Sequence, residues 1–262
     1  MVLPAFAHAG PALDSLSAWA VASPASIAVP AATPSFSVLA QPSHPVDPRA
    51  SQVAQSVWET MLSGMTPLRA KEMRERVRIF IVPRDTRLID EVVAVYRREL
   101  PPAEVDAAVT HIQESYHVRL QQTGDRTAAE PRGVTIAVDS KDGPCVFTFA
   151  GEENLIAGGD WDEHGSRERR VLVHELGHAT IDATGSKTEW QTAAANAKAY
   201  WSDYQSDDDG EIFAISTEIW FGRHQTGMFQ AGMTAAAAAA SPKLAEMMRM
   251  MSEVYGPSRE VR

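Results

Sequence analysis

Residues Val171 to Thr180 read "VLVHELGHAT", and the way this stretch folds decides the reading of the whole chain. Two histidines, His174 and His178, stand four positions apart, with Glu175 directly after the first. On an α-helix, positions i and i+4 lie one above the other, so two imidazole nitrogens can reach a single tetrahedral metal ion. Leu172, Leu176, Ala179 and Ala183 then share one helix face while His174, Glu175 and His178 fall on the other side, which separates core packing from presentation of a site. Glu175, turned just aside, suits a carboxylate that takes a proton from a metal-activated water and later passes it to a leaving amine. The bland reading is a solvated helix face with chance histidines. Against it stand the apolar lead-in, an upstream strand, and Ser166, which can cap the helix with Glu168 in its first turn.

A catalytic site of this kind needs a third protein ligand and an open position. A third histidine six residues beyond His178 would fall at Thr184, and a glutamate about twenty residues on would fall near Lys198, so neither spacing is met. The acids that remain are Asp182, Glu189, Asp203, Asp207, Asp208, Asp209, Glu211 and Glu218. "GEIFAISTEIWFG", starting at Gly210, predicts a second buried helix with Ile212, Ile215 and Ile219 as one apolar line and Phe213, Trp220 and Phe221 beside it. Glu211 and Glu218 come close to one side of that helix. Two acids on an apolar helix need a partner such as a metal or a ligand histidine.

Upstream, "SQVAQSVWETMLS" from Ser51 spaces Val53, Val57, Trp58 and Met61 as a docking helix. "RVRIFIVPRDT" is β-branched and alternating between Val77 and Val82, with Pro83 closing a predicted strand. "PPAEVDAAVTHIQESYHVRL" predicts a helix near Pro102 whose apolar face is Val105, Ala108, Ile112 and Tyr116, leaving His111 and His117 to solvent. "GVTIAVDS" and "PCVFTFA" then read as two strands of a hairpin turning at Lys141 to Gly143. Downstream, "TAAAAAASPKLAEMMRMMSEVYG" predicts two helical pieces broken at Pro242, with Leu244, Met247, Met248, Met251 and Tyr255 as a stripe for core packing. The acidic run Asp207 to Asp209 reads as solvated helix-start charge, and His164 and His224 as loop residues.

Composition limits the function classes. The 262 residues carry a formal net charge of −10, which argues against nucleic acid as a partner because phosphate binding needs a basic face. With 44% hydrophobic and 22% charged residues the chain is ordinary for a globular protein, and its uncharged stretches are too rich in Ala, Pro and Ser to span a membrane. One cysteine, Cys145, excludes an internal disulfide and a cysteine-based zinc site, and reads as a small apolar strand residue. Residues 1–50 hold only Asp14, Asp47 and Arg49 as charges, so they predict a disordered leader, with residues 51–262 forming one domain. The leader lacks the basic start and continuous apolar run of a secretory signal and suits an export-channel tail, so the expected location is secreted or translocated, and otherwise cytoplasmic.

"HELGH" followed by "YQSDDDGEIFAISTEIWFG" resembles the anthrax lethal factor type of zinc metallopeptidase, to which the Pro-Pro endopeptidases are also similar. "IFIVPRDT", "WDEHGSRERRVLVHELGHA" and the ending "SPKLAEMMRMMSEVYG" extend the resemblance over about Ser51 to Gly256. The resemblance implies zinc held by His174, His178 and Glu211, the last in "EIFA", and Tyr204, seven residues before Glu211, as a phenol facing substrate and stabilising the oxyanion. Many relatives carry an acid directly after the E-x-F-A alanine, where this chain has Ile215; Glu218 can take over by hydrogen-bonding a ligand histidine.

The expected architecture is a small zincin-like α+β domain, a mixed sheet packed on the "HELGH" helix with a helical C-terminal part and "CVFTFA" as an edge strand on which an extended peptide adds. The expected function is zinc-dependent hydrolysis of a peptide or protein substrate by a monomer, with Glu175 as general base. Two rivals stand beside it: a binding or toxin-associated module that keeps zinc without turnover, and a zinc hydrolase of a non-peptide amide.

Overall fold

The computed structural model describes residues 45–100, scattered positions of 102–110, and residues 133–140, 143–156, 170–185, 187–198, 209–222, 235–242 and 244–259. Tyr204, His111, His117, His164, Ser166 and His224, all singled out above, lie outside the described residues.

Helix α1, Pro48–Leu62, starts where Asp47 accepts from the Arg49 amide at 2.8 Å and Pro48 presets the first helical φ. Val46 and Ala50 are already buried, so the ordered core begins slightly ahead of the composition change at Ser51. One carboxylate joins this start to the sheet: Glu152 accepts from the Asp47 amide at 2.9 Å and from the Arg84 amide at 3.0 Å. Helix α2, Pro67–Arg76, runs directly into strand β1, Val77–Val82, the strand expected from the β-branched alternation. Helix α3, Leu88–Glu99, follows, and Val105 and Val109 beyond it are buried.

Strands β2, Gly133–Ser140, and β3, Gly143–Gly151, pair antiparallel as the predicted hairpin, and β1 joins β3 in parallel. The order is therefore β1-β3-β2. This overturns the reading of "CVFTFA" as an edge strand. β3 pairs on both sides, and its residues are buried on both faces, which is why the run is almost continuously apolar rather than alternating. Among the described residues the edges are β1 and β2.

The sheet has two unlike faces. Phe80, Val82, Ile136, Phe147 and Phe149 pack with Val92, Val95 and Tyr96 of α3. Val77, Ile79, Ile81, Val146 and Ala150 face the other way, against helix α4, Arg170–Thr184, which carries the two histidines. Helices α5, Lys187–Lys198, α6, Asp209–Trp220, α7, Ala235–Ala240, and α8, Ala245–Tyr255, complete that second layer. The expected helix faces hold: Leu172, Leu176, Ala179 and Ala183 are wholly buried, as are Ile212 and Phe213, and the stripe from Leu244 to Tyr255 is core. The fold is mixed α+β, mostly helical with a small three-stranded sheet. No helix of the described residues is long and apolar enough to cross a membrane.

Candidate metal centre

The centre is made by the crossing of α4 and α6. A Cβ added at Gly177 would lie 2.9 Å from the Ala214 Cα and 3.0 Å from the Thr217 Oγ1, so the two backbones meet where a side chain on Gly177 would hold them apart. His174 and His178 flank Gly177 on one helix, and Glu211 and Glu218 flank Ala214 on the other. Close approach at this point brings all four together. The far end of the crossing is braced by buried hydroxyls, with the Tyr255 phenol of α8 donating to Thr180 Oγ1 at 3.0 Å and lying 3.4 Å from Thr217 Oγ1. Arg76 also donates to the Ala183 carbonyl at 2.6 Å, tying the last turn of α4 to the end of α2.

His174 Nε2 and His178 Nε2 stand 3.2 Å apart. The Glu211 carboxylate completes a triangle, with Oε2 at 3.2 Å from His174 Nε2 and Oε1 at 3.5 Å from His178 Nε2. Donor atoms bound at about 2.0–2.2 Å around one tetrahedral ion lie roughly 3.3–3.6 Å from each other, so the triangle has the size of a metal's ligand face. The three ligand atoms all lie within 4.8 Å of one another, consistent with a bound metal ion. The side chains of His174, His178 and Glu211 keep 18%, 17% and 17% of their surface exposed, so the group is reachable from outside.

Glu218 occupies a different place. Its carboxylate, 1% exposed, lies 2.7 Å from His174 Nδ1, on the far side of the ring from Glu211. A carboxylate there fixes the tautomer, with Nδ1 carrying the proton and Nε2 free to offer its lone pair. The structure thus brings Glu211 to the convergence point of the two rings and sets Glu218 behind His174. Ile215, directly after the alanine of "EIFA", is buried in the core.

Electrostatics follow from this arrangement. Burial alone would pull the imidazoles toward the neutral form, yet the charge and hydrogen bond of Glu211, joined at His174 by those of Glu218, hold His174 well above its ordinary value. His178 is raised for the same reason, Glu211 again outweighing burial while His174 opposes. Burial would raise Glu211, but the two histidines hold its carboxyl well below the usual carboxylate range. A carboxylate that attracts cationic charge onto both neighbouring rings provides the field a divalent cation would use.

Glu175 is buried, 8% exposed, and its carboxylate does not join the triangle; Oε2 accepts from Thr135 Oγ1 of β2 at 2.9 Å. Sequence reading found His174, Glu175, His178, Glu211 and Glu218 but missed Thr135 and Gly177. Neither is marked by a periodic pattern: Gly177 is a lone small residue between the two histidines, and Thr135 is a lone threonine in "GVTIAVDS". Comparison with known proteins gives no matching family model and no significant match among curated proteins or solved structures.

Proposed function

We propose that this chain is a zinc-dependent endopeptidase of zincin-like fold, with His174, His178 and Glu211 as the metal ligands and Glu175 as general base. The observation that carries the reading is the convergence of two imidazole Nε2 atoms and one carboxylate within 4.8 Å on a helix pair, with the next residue after His174, Glu175, held by Thr135. Two nitrogens and one oxygen with a tetrahedral spacing are a common donor set for catalytic zinc. Bound zinc supplies a Lewis acid that polarises a carbonyl and makes water acidic enough to lose a proton near neutral pH.

The chain's own residues supply the rest. Glu175 takes the proton from the attacking water and returns it to the departing amine, a role that needs a carboxylate near the metal ligands without being one of them. Tyr204, from the resemblance to the lethal factor type, donates its phenol to the oxyanion. Glu218 keeps His174 in the tautomer that offers Nε2. The strand beside Glu175 is β2, and as an edge among the described residues it is the place for an extended peptide to add by main-chain hydrogen bonds.

The test is cleavage of a diverse peptide library by the zinc-loaded chain, read by mass spectrometry, with Glu175→Ala beside it. Expected are cuts at defined bonds and a loss of turnover on the order of 10²–10⁴-fold in Glu175→Ala, with one zinc still bound. No cuts by a zinc-loaded chain would overturn the peptidase reading in favour of a zinc-bearing binding module. Cuts that persist in Glu175→Ala would remove that residue from its role.

A further inference from the structure

The face of the sheet toward α4 changes character from one edge to the other. The register aligns Val77, Val146 and Ala137 in one row, Ile79, Thr148 and Thr135 in the next, and Ile81, Ala150 and Gly133 in the third. Bulk falls from the branched aliphatics of β1 to the alanine, threonine and glycine of β2. The space released at β2 is taken by Glu175. A Cβ on Gly133 would lie 2.4 Å from Val171 Cγ1 and 2.9 Å from Glu175 Oε1, so any larger residue would push the carboxylate out of place. The other oxygen, Oε2, is 2.9 Å from the Thr135 hydroxyl.

Thr135 has a single proton and three oxygens around it. Besides Glu175 Oε2 there are the Glu175 carbonyl at 2.9 Å and Thr148 Oγ1 at 3.4 Å. That carbonyl lies inside α4, where it accepts from the amide four residues on, and an ionised carboxylate is the stronger acceptor. Thr148, completely buried on the central strand, can in turn donate to Thr135. The polar line therefore runs Thr148 to Thr135 to Glu175, with the proton of Thr135 directed at the carboxylate.

We propose that Thr135 is the positioning residue for Glu175, fixing the carboxylate against Gly133 so that it is held for proton transfer. This rests on the reading of Glu175 as general base. A carboxylate side chain freed from these contacts has rotamers to choose among, and misplacement by about 1 Å is enough to cost on the order of 10²-fold in rate.

Thr135→Val removes the hydroxyl at nearly constant shape in a residue type that strands favour, and Thr135→Ser keeps the hydroxyl while removing the methyl. In the zinc-loaded full chain, Thr135→Val is expected to lower kcat at least about tenfold, part of the roughly 10²–10⁴-fold owed to a general base, with KM within about twofold. Zinc affinity should stay at the wild-type value, and Thr135→Ser should restore kcat to within about threefold. The ¹³C carboxyl resonance of Glu175 supplies a readout that needs no turnover: it should move in Thr135→Val and stay near the wild-type position in Thr135→Ser. An unmoved resonance in Thr135→Val overturns the proposal, as does a moved resonance with unchanged kcat. If the wild-type chain cleaves nothing, the peptidase reading fails while the resonance still decides whether Thr135 holds Glu175.

Discussion

β3 presents two different interiors on its two sides. Phe147 and Phe149 point toward α3, where Phe80 stacks on Phe149 at 4.8 Å between ring centroids and meets Phe147 edge-on at 5.5 Å. Tyr96 closes this cluster with its ring edge-on to Phe147 at 6.0 Å. Val146, Thr148 and Ala150 point the other way, toward α4, and there the interior contains hydroxyls, a carboxylate and the approach to two histidines. The first side is filled by large rings whose burial gains free energy in proportion to area. The second accepts small side chains and buried polar groups that are tolerable because they satisfy one another. The two-residue repeat of a strand lets one sequence serve both ends: the side toward α3 is packed with rings, and the side toward α4 combines aliphatic packing with room for a group placed for chemistry.

If the ring-packed side toward α3 takes no part in metal binding, substitutions should separate the two sides. Glu211→Ala carries the largest expected effect. It removes one of the three proposed ligands and with it roughly a third of the ~10–16 kcal/mol typical of a protein zinc site, so affinity should fall on the order of a thousandfold, while the metal-free fold should melt lower because His174 and His178 lose the carboxylate that favours their charged form. Isothermal titration with zinc and thermal unfolding of the same sample check both halves. A Glu211→Ala protein that binds zinc as wild type while Glu218→Ala does not would move the ligand role to Glu218.

Phe149→Ala is the mirror experiment. The ring is wholly buried between Phe80 and the strands beside it, so its removal should cost about 3–5 kcal/mol in urea unfolding. Unfolding is best followed without added metal, since zinc would stabilise the folded form by mass action. The surviving folded protein should still bind one zinc with affinity within about threefold of wild type, because the ring lies on the side of the sheet away from α4. Loss of zinc binding in folded Phe149→Ala would show that the two faces are coupled through β3.

The legibility of these features in the sequence follows from how local each one is. The "HELGH" helix, the strand Val77–Val82, the hairpin and the methionine stripe are patterns within one element, set by periods of 3.6 or 2 that a short window contains. Glu211 and Glu218 were legible as acids on an otherwise apolar helix, since burial without a partner would be too costly. The order of the strands was not, because a run such as "VFTFA" records that both faces are buried and not which neighbours pair with its edges. Thr135 and Glu175, Gly177 and Ala214, and Tyr255 and Thr180 are contacts between residues far apart in the chain, and single threonines or glycines carry no pattern that announces them. The proposed role of Tyr204 falls on residues outside those described.

Glu218 tests a finer division within the side toward α4. Its carboxylate touches His174 Nδ1 and not the triangle, so Glu218→Gln keeps the shape and an acceptor while removing the charge that favours Nε2 as the metal-facing nitrogen. Zinc affinity should fall about 10–100-fold, the range found when partners of ligand histidines are lost, against the larger fall in Glu211→Ala. Equal losses in the two variants would mean that Glu218 acts as a ligand.

The smallest effect expected is a proton count. Both histidines hold protons more tightly than a free imidazole, because Glu211, with Glu218 at His174, outweighs burial, whereas Glu211 stays ionised. A metal ion needs the unprotonated Nε2 of each ring, so zinc must displace any proton that the neighbouring carboxylates help these rings to hold. Zinc binding should therefore release protons, up to two in all, at pH values below the raised values of the two rings, and apparent affinity should climb about tenfold per pH unit for each proton released. The climb should flatten once pH exceeds the raised values of the two rings, since no proton is then left to displace. Titration calorimetry in two buffers of different ionisation enthalpy measures the count directly. Glu218→Gln, which takes one of the two carboxylates away from His174, should release fewer protons than wild type at the same pH, whereas an unchanged count would show that Glu211 alone sets the charge of the pair.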